Sequence, residues 1–193
     1  MNLWLARHAQ PCIEAGLCYG ALDMPAQPLA TRKAAHALAL VLPQGTSVWT
    51  SPLQRCELLA QCLCALRPDL ICKTDVRLRE MDFGQWEGVA WAQVPRAAVD
   101  AWLADFGDHR FGGAESANEV LARVAAAWAD AQQATQRATQ SGGQDALWIT
   151  HAGVIRAASL VAQGVQRITS ASQWPLQAPA YGQWRLLQQA SRP

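Results

Sequence analysis

Four short apolar runs, separated by stretches with helical spacing, constrain this chain more than any other feature of its sequence. The runs span residues 3–7, 47–50, 70–76 and 146–150. Each is too short for an ordinary helix, and such runs bounded by polar residues, Gly or Pro read as buried strands. Helical patterns fill residues 31–42, 51–67 and 116–140, and another follows the last run over 153–163. Strands alternating with helices predict an α/β fold, a mostly parallel central sheet covered on both faces in three α/β/α layers. In such sheets ligands bind beyond the carboxyl ends of the strands. The tail from 174 to 188 adds one or two further strands.

The helix boundaries carry their own signals. Thr31 is placed to cap a helix that Pro43 and Gly45 end. Ser51-Pro52-Leu53-Gln54 reads as a capping box with Pro at the first helical position. Leu53, Cys56, Leu59, Ala60, Leu63 and Leu66 then form one apolar stripe before Pro68. Residues 80–88 are a polar and aromatic loop with two glycines, followed by a short helical stretch before Pro95 and another over 96–106. Residues 107–113 form another loop, and Ser116-Ala117-Asn118-Glu119 a second capping box. Ser141-Gly142-Gly143 reads as a turn. With no repeat and no linker, residues 1–193 are expected to form one domain, with about 81–115 as a helical and loop excursion.

Composition narrows the class. The chain is 51% hydrophobic and 16% charged with a net charge of +1. Without a dense Lys/Arg tract, neither nucleic acid nor an acidic membrane is the expected partner. No window approaches the ~20 apolar residues of a membrane span. The six cysteines, at 12, 18, 56, 62, 64 and 72, include no CxxC pair and no zinc-finger spacing with histidine. They are therefore expected to be free thiols, with Cys56 and Cys62 acting as small hydrophobes in a helix. Neither a disulfide framework nor a metal is expected, and a reducing cytoplasm fits.

Two strand ends carry a histidine. The first run ends in Arg7-His8 and the fourth in Thr150-His151. If these strands run parallel, both imidazoles emerge at one sheet edge. Arg55, in the first turn after the second strand, reaches the same edge, and Glu80 opens the loop after the third. Phosphoryl transfer needs such parts. Arginine forks match phosphate oxygens, neutral imidazole is a nucleophile, and a carboxylic acid can protonate a leaving alkoxide. Composition and spacing alone leave this undecided, because a single strand-end histidine is commonly structural, a lone helix arginine commonly a surface residue and a lone loop glutamate commonly solvated.

The residues also carry a resemblance. LARHAQP resembles the RHG motif of the histidine phosphatase superfamily, the phosphoglycerate-mutase-like enzymes, and SPLQRC resembles its second arginine segment. LREMDFGQWEG, GGAES and ITHAGVIRA resemble its later motifs, in family order over residues 3 to about 158. Within the superfamily, GLCYGALDMP looks most like the α-ribazole phosphatase-type branch. The resemblance implies a phosphoglycerate-mutase-like fold and a metal-independent phosphomonoesterase without a cofactor. His8 would carry the phosphoryl group, Arg7 and Arg55 would hold its oxygens, His151 would donate to it, and Glu80 would be the proton donor. The implied partner is a small phosphorylated metabolite, with α-ribazole 5′-phosphate as one candidate.

Three positions depart from the family pattern. Ala9 replaces the usual Gly, Pro11 a common Thr or Ser, and Glu14 a common Asn. Glu14 is expected to point away from a phosphate it would repel. Gln10, Tyr19, Trp86 and Ala152 are candidate substrate contacts, and His109 and Arg110 in the 107–113 loop are weighed against a solvated role. Trp4, Trp49 and Trp148 fall on strands and are expected in the core. Two alternatives stand beside the phosphatase. A mutase would return the phosphoryl group to its substrate, and a non-catalytic module would keep the fold alone. The sequence does not address oligomeric state.

Overall fold

β1 (Asn2–Arg7) is the strand on which the sheet is organised. It pairs in parallel with β4 (Asp145–Thr150), in register from Asn2↔Asp145 to Arg7↔Thr150. On its other side β5 (Trp184–Gln188) runs antiparallel. β2 (Ser47–Thr50) pairs in parallel with β4 and with β3 (Cys72–Thr74), giving the order β3-β2-β4-β1-β5. The computed structural model describes residues 2–139 and 145–188. The expected turn at Ser141-Gly142-Gly143 and the helix end near Gln140 lie outside the described residues.

Period-two alternation sends side chains to two cores. On one face Leu3, Leu5, Ala146 and Trp148 pack with α4 (Ala117–Thr139) and α5 (Ala152–Ala162). On the other, Ala6, Val48, Leu147 and Ile149 pack with α1 (Pro28–Val41) and α2 (Gln54–Leu66). Trp148 is buried, while Trp4 and Trp49 are half-buried against the two cores. α3 (Arg96–Ala104) sits in the expected excursion, among single 3₁₀ turns at Gly84–Trp86, Trp91–Gln93 and Phe111–Gly113.

The structure corrects several local expectations. α1 begins at Pro28, and Thr31 lies inside it with its hydroxyl donating to the Gln27 carbonyl. Proline at the first turn, not threonine at the cap, sets that start. α2 begins at Gln54, after the expected Ser51 box. Its first turn is capped from another segment, because the Asp23 carboxylate accepts from the Gln54 backbone N–H (2.8 Å) and side-chain amide (3.0 Å). The Ser116–Glu119 box does form, with each residue's side chain accepting from the other's backbone N–H. The third strand keeps only residues 72–74. Asp75 accepts from the Arg77 backbone N–H and caps a 3₁₀ turn, which stops the ladder. One strand, β5, forms in the described part of the tail.

The cysteine reading is also corrected, since Cys64 and Cys72 are joined as a disulfide. The chain reverses between α2 and β3, so two residues eight apart face one another across the turn. That pairing follows from tertiary packing and has no motif spacing to reveal it. The compartment argument built on six free thiols loses its support.

Candidate active site

Register alone brings the two histidines together. Because Arg7 pairs with Thr150, the next residues are His8 and His151, and the His8 backbone N–H donates to the Thr150 carbonyl at 3.0 Å. Their ring centroids lie 5.1 Å apart, and both side chains are buried. His8 Nδ1 lies 2.7 Å from the Ala9 carbonyl oxygen, an atom that can only accept. The proton therefore resides on Nδ1, which leaves the Nε2 lone pair free. Burial, then the Arg55 charge, pushes the His8 pKa down to about 3, with a smaller contribution from Arg7. The imidazole is therefore neutral at ordinary pH.

His151 is held from both sides. Arg55 Nε donates to its Nδ1 at 3.2 Å, which places the His151 proton on Nε2, 2.8 Å from Ser51 Oγ. Burial, followed by the charges of Arg55 and His8, holds its pKa well below the usual histidine range. Ser51 stands beside it because β2 is in register with β4, and the Ser51 N–H donates to the Ile149 carbonyl. The hydroxyl expected to cap a helix accepts the Leu53 N–H and also meets the second histidine.

The guanidinium of Arg55 is fully buried. It donates to the carbonyls of Gly20 and Leu22 and lies 3.3 Å from Met24 Sδ. That loop is itself gripped by Glu87, whose carboxylate accepts the backbone N–H groups of Gly20, Ala21, Leu22 and Phe83 at 2.9–3.0 Å. Gly20 admits no side chain, since a Cβ there would stand 1.8 Å from the Met81 carbonyl oxygen. Arg7 donates to the Pro179 carbonyl at 3.1 Å and lies 3.9 Å above the Tyr181 ring, and its buried Nε has no partner among the described residues. Tyr181 and Tyr19 join hydroxyls at 2.6 Å, with Arg55 5.6 Å from the Tyr19 ring. Burial and the Tyr181 hydrogen bond push the Tyr19 pKa up, so its phenol stays neutral.

Glu80 is fixed at the start of α5. Its Oε2 accepts the Gly153 N–H at 3.0 Å, and its Oε1 accepts the Met81 N–H at 3.1 Å. A Cβ on Gly153 would stand 2.3 Å from Oε1, so this approach requires glycine. Beyond Glu80 opens a cavity of about 220 Å³, whose walls include Phe83, Trp102, Phe106, Arg156 and Trp174.

The other candidates divide. Tyr19 lies with its ring 5.6 Å from the Arg55 guanidinium, and Ala152 is buried at the head of α5. The side chain of Gln10 is exposed, as is that of Glu14. Ala9 is buried and supplies the carbonyl that orients His8. Trp86 packs toward Phe111 at 6.0 Å between ring centroids, and Arg110 is paired with Glu119, so both have structural partners. Sequence reasoning missed Tyr181, Glu87, Arg156 and Trp102, and it read Ser51 only as a cap. Arg156 lay inside the quoted ITHAGVIRA segment, whereas Tyr181 had no local signal. Among the described residues no group of three or more His, Cys, Asp or Glu is arranged to hold a metal, and no helix is long and apolar enough to cross a membrane.

Comparisons with known proteins bear on this geometry. The family description "Histidine phosphatase superfamily (branch 1)" matches residues 3–180. A mycobacterial glucosyl-3-phosphoglycerate phosphatase in complex with VO3 aligns with a TM-score of 0.80 and 26% identity, covering 97% of this chain and 90% of that one. A Thermus thermophilus protein is 27% identical over 81% of this chain and 82% of its own, with a TM-score of 0.61. A structure from Escherichia coli str. K-12, provisionally assigned as an α-ribazole-5′-P phosphatase, shares the fold at a TM-score of 0.72 and 21% identity, over 96% of this chain and 89% of that one. No curated protein matches the chain by sequence.

Proposed function

The chain belongs to branch 1 of the histidine phosphatase superfamily, and from that premise we propose that it is a metal-independent phosphomonoesterase working through a phosphohistidine on His8. Family membership and the likeness to a solved phosphatase support phosphatase activity. The observation that carries the finer reading is the His8 imidazole, neutral, with Nδ1–H fixed on Ala9 and Nε2 unencumbered beside two arginines.

The chemistry follows from the atoms present. The phosphoryl group sits against Arg7 and Arg55, whose charges oppose its own. His8 Nε2 attacks phosphorus and forms the P–N bond as the P–O bond to the leaving group breaks. The acid form of Glu80 gives its proton to the departing oxygen. Water then attacks the phosphohistidine, Glu80 carboxylate takes the water's proton, and the P–N bond breaks to return neutral His8 and inorganic phosphate. A phosphoryl oxygen competes with Ser51 Oγ for the Nε2–H of His151, and that exchange would place a donor on the transition-state charge. The 81–115 excursion carries Glu87 and Trp102 and would cover the leaving-group side.

The substrate is a small phosphorylated metabolite. α-Ribazole 5′-phosphate is the candidate suggested by GLCYGALDMP, and the mycobacterial relative's glucosyl-3-phosphoglycerate is of the same broad class. The deciding experiment assays phosphate release from an aryl phosphate by wild type and His8→Asn. Loss of at least roughly 10⁴-fold in kcat is expected for a missing nucleophile. Turnover retained in the variant would overturn the reading.

A further inference from the structure

Four buried side-chain donors among the described residues have no protein partner, namely Arg7 Nε, Trp102 Nε1, Arg156 Nε and Arg185 Nε. Arg7 belongs to the phosphate site. Trp102 and Arg156 both line the cavity of about 220 Å³ beside Glu80. An apolar cavity of about 150 Å³ is enough to admit benzene, so this one accommodates a six-membered ring with a substituent. Phe83, Phe106 and Trp174 provide apolar wall, and Trp102 is braced by stacking on Phe106 and Phe111 at 5.2 and 4.5 Å. Within this aromatic wall Arg156 is the cation, so the cavity offers an apolar surface for a ring and one positive charge for an anionic substituent.

The cavity is also tied to the reaction centre. Glu80 forms part of its wall, and the Arg156 charge interacts with both Glu80 and Arg7. Arg156 has one described protein hydrogen bond, from its Nη2 to the Leu176 carbonyl at 3.0 Å, and no salt-bridge partner among the described residues. A carboxylate there would meet the Arg156 cation, a match of charge.

We propose that this cavity is the leaving-group pocket and that it selects phosphomonoesters whose alcohol portion carries an apolar ring bearing a carboxylate, the ring held among Phe83, Trp102, Phe106 and Trp174 and the carboxylate by Arg156. The inference rests on the phosphatase reading, with Glu80 protonating the oxygen that joins this portion to phosphorus. It makes Arg156 and Trp102 specificity-determining residues.

The test compares kcat/KM for propyl phosphate, 3-phenylpropyl phosphate and 3-(4-carboxyphenyl)propyl phosphate. Their leaving alkoxides have similar basicity, so the ratios report what the pocket binds. The ring is expected to add roughly tenfold or more through burial of apolar area. The carboxylate should add a further several-fold, where an uncharged apolar pocket would penalise it. Arg156→Gln should reverse the carboxylate preference, and Trp102→Ala should shrink the ring preference. The wild-type ratios stand as the test even if Trp102→Ala fails to fold. A ring ratio near one, with phosphate still released from propyl phosphate, overturns the pocket and leaves the phosphatase reading standing. A ring advantage that the carboxylate abolishes overturns the anion half. Release from none of the three esters defeats the phosphatase reading and the pocket together.

Discussion

The two ends of the site are built in opposite ways. At the phosphate end Arg55 and His151 are already engaged by protein partners. Arg55 is shared among His151, Gly20 and Leu22, and His151 bridges Arg55 and Ser51. At the other end, past Glu80, aromatic walls enclose a cavity that Arg156 lines with no salt-bridge partner among the described residues. The first arrangement fixes catalytic groups before any ligand arrives, which is what electrostatic preorganisation requires. The second, on the proposed reading, would leave its charge to be matched by the ligand, which is how a site discriminates among them. On that reading, chemistry and selectivity would be carried by different materials on either side of Glu80.

That contrast can be broken at its strongest point first. Arg55→Ala removes a buried cation and strands the Gly20 and Leu22 carbonyls it served. Activity should fall by roughly 10³-fold or more, from the loss of transition-state charge stabilisation. Stability should fall by about 3 kcal/mol, from the unsatisfied buried groups. Steady-state kinetics and urea denaturation measure the two. Activity lost without a stability change would show that the surrounding hydrogen bonds are not structural.

Gly153→Ala acts at the boundary. The added methyl would meet Glu80 Oε1 and displace the carboxyl group. We expect a loss of roughly 10²-fold in kcat for alkyl phosphates, in the range attributed to general acids. Aryl phosphates, whose leaving groups need less protonation, should lose less. Equal losses for both would remove Glu80 from the role of proton donor.

Acid should weaken the phosphate end by a calculable sign. The unfolded imidazole of His8 takes a proton below about 6.5, while the folded one resists until about 3. Between those values the unfolded chain binds more protons, so stability is lost as pH falls through that window. The slope is about 1.4 kcal/mol per pH unit for each such proton. His151, depressed in the same direction, adds to it. Denaturation midpoints from pH 7 to pH 4 should fall for wild type, and less steeply for His8→Asn. A flat profile would mean that the histidines are not held neutral.

The smallest effect belongs to Tyr181→Phe. The substitution removes the 2.6 Å bond to Tyr19 and keeps the ring over Arg7. A change of roughly threefold or less in kcat/KM is expected, the scale of one ordinary hydrogen bond. A much larger loss would promote the tyrosine pair to the reaction itself.

The same division explains what the amino-acid order revealed. His8 and His151 were legible because a parallel register converts two positions along the chain into one place in space. Arg55, in the first turn of the helix after β2, shares that legibility, whereas Glu80 lies beyond a 3₁₀ turn after β3 and was picked out by the family resemblance. The cavity was not legible, because Trp102, Phe106, Arg156 and Trp174 come from α3, the segment after it, α5 and the tail, which no periodicity links. The same holds for Asp23 capping α2, for Glu87 gripping the Gly20–Leu22 loop and for the Cys64–Cys72 bond. Ser51 shows a subtler failure. Its sequence context fits a cap, and register with β4 adds a histidine to its bonds.

The central claim is that His8 Nε2 carries the phosphoryl group between leaving group and water. Rapid mixing with a substrate labelled in its phosphoryl group, followed by alkaline quench and peptide mapping, tests it most directly. The account predicts a base-stable, acid-labile label on the peptide containing His8, formed within one turnover and absent from His8→Asn. Label on any other residue, or unimpaired turnover in wild type with His8 never labelled, would contradict it.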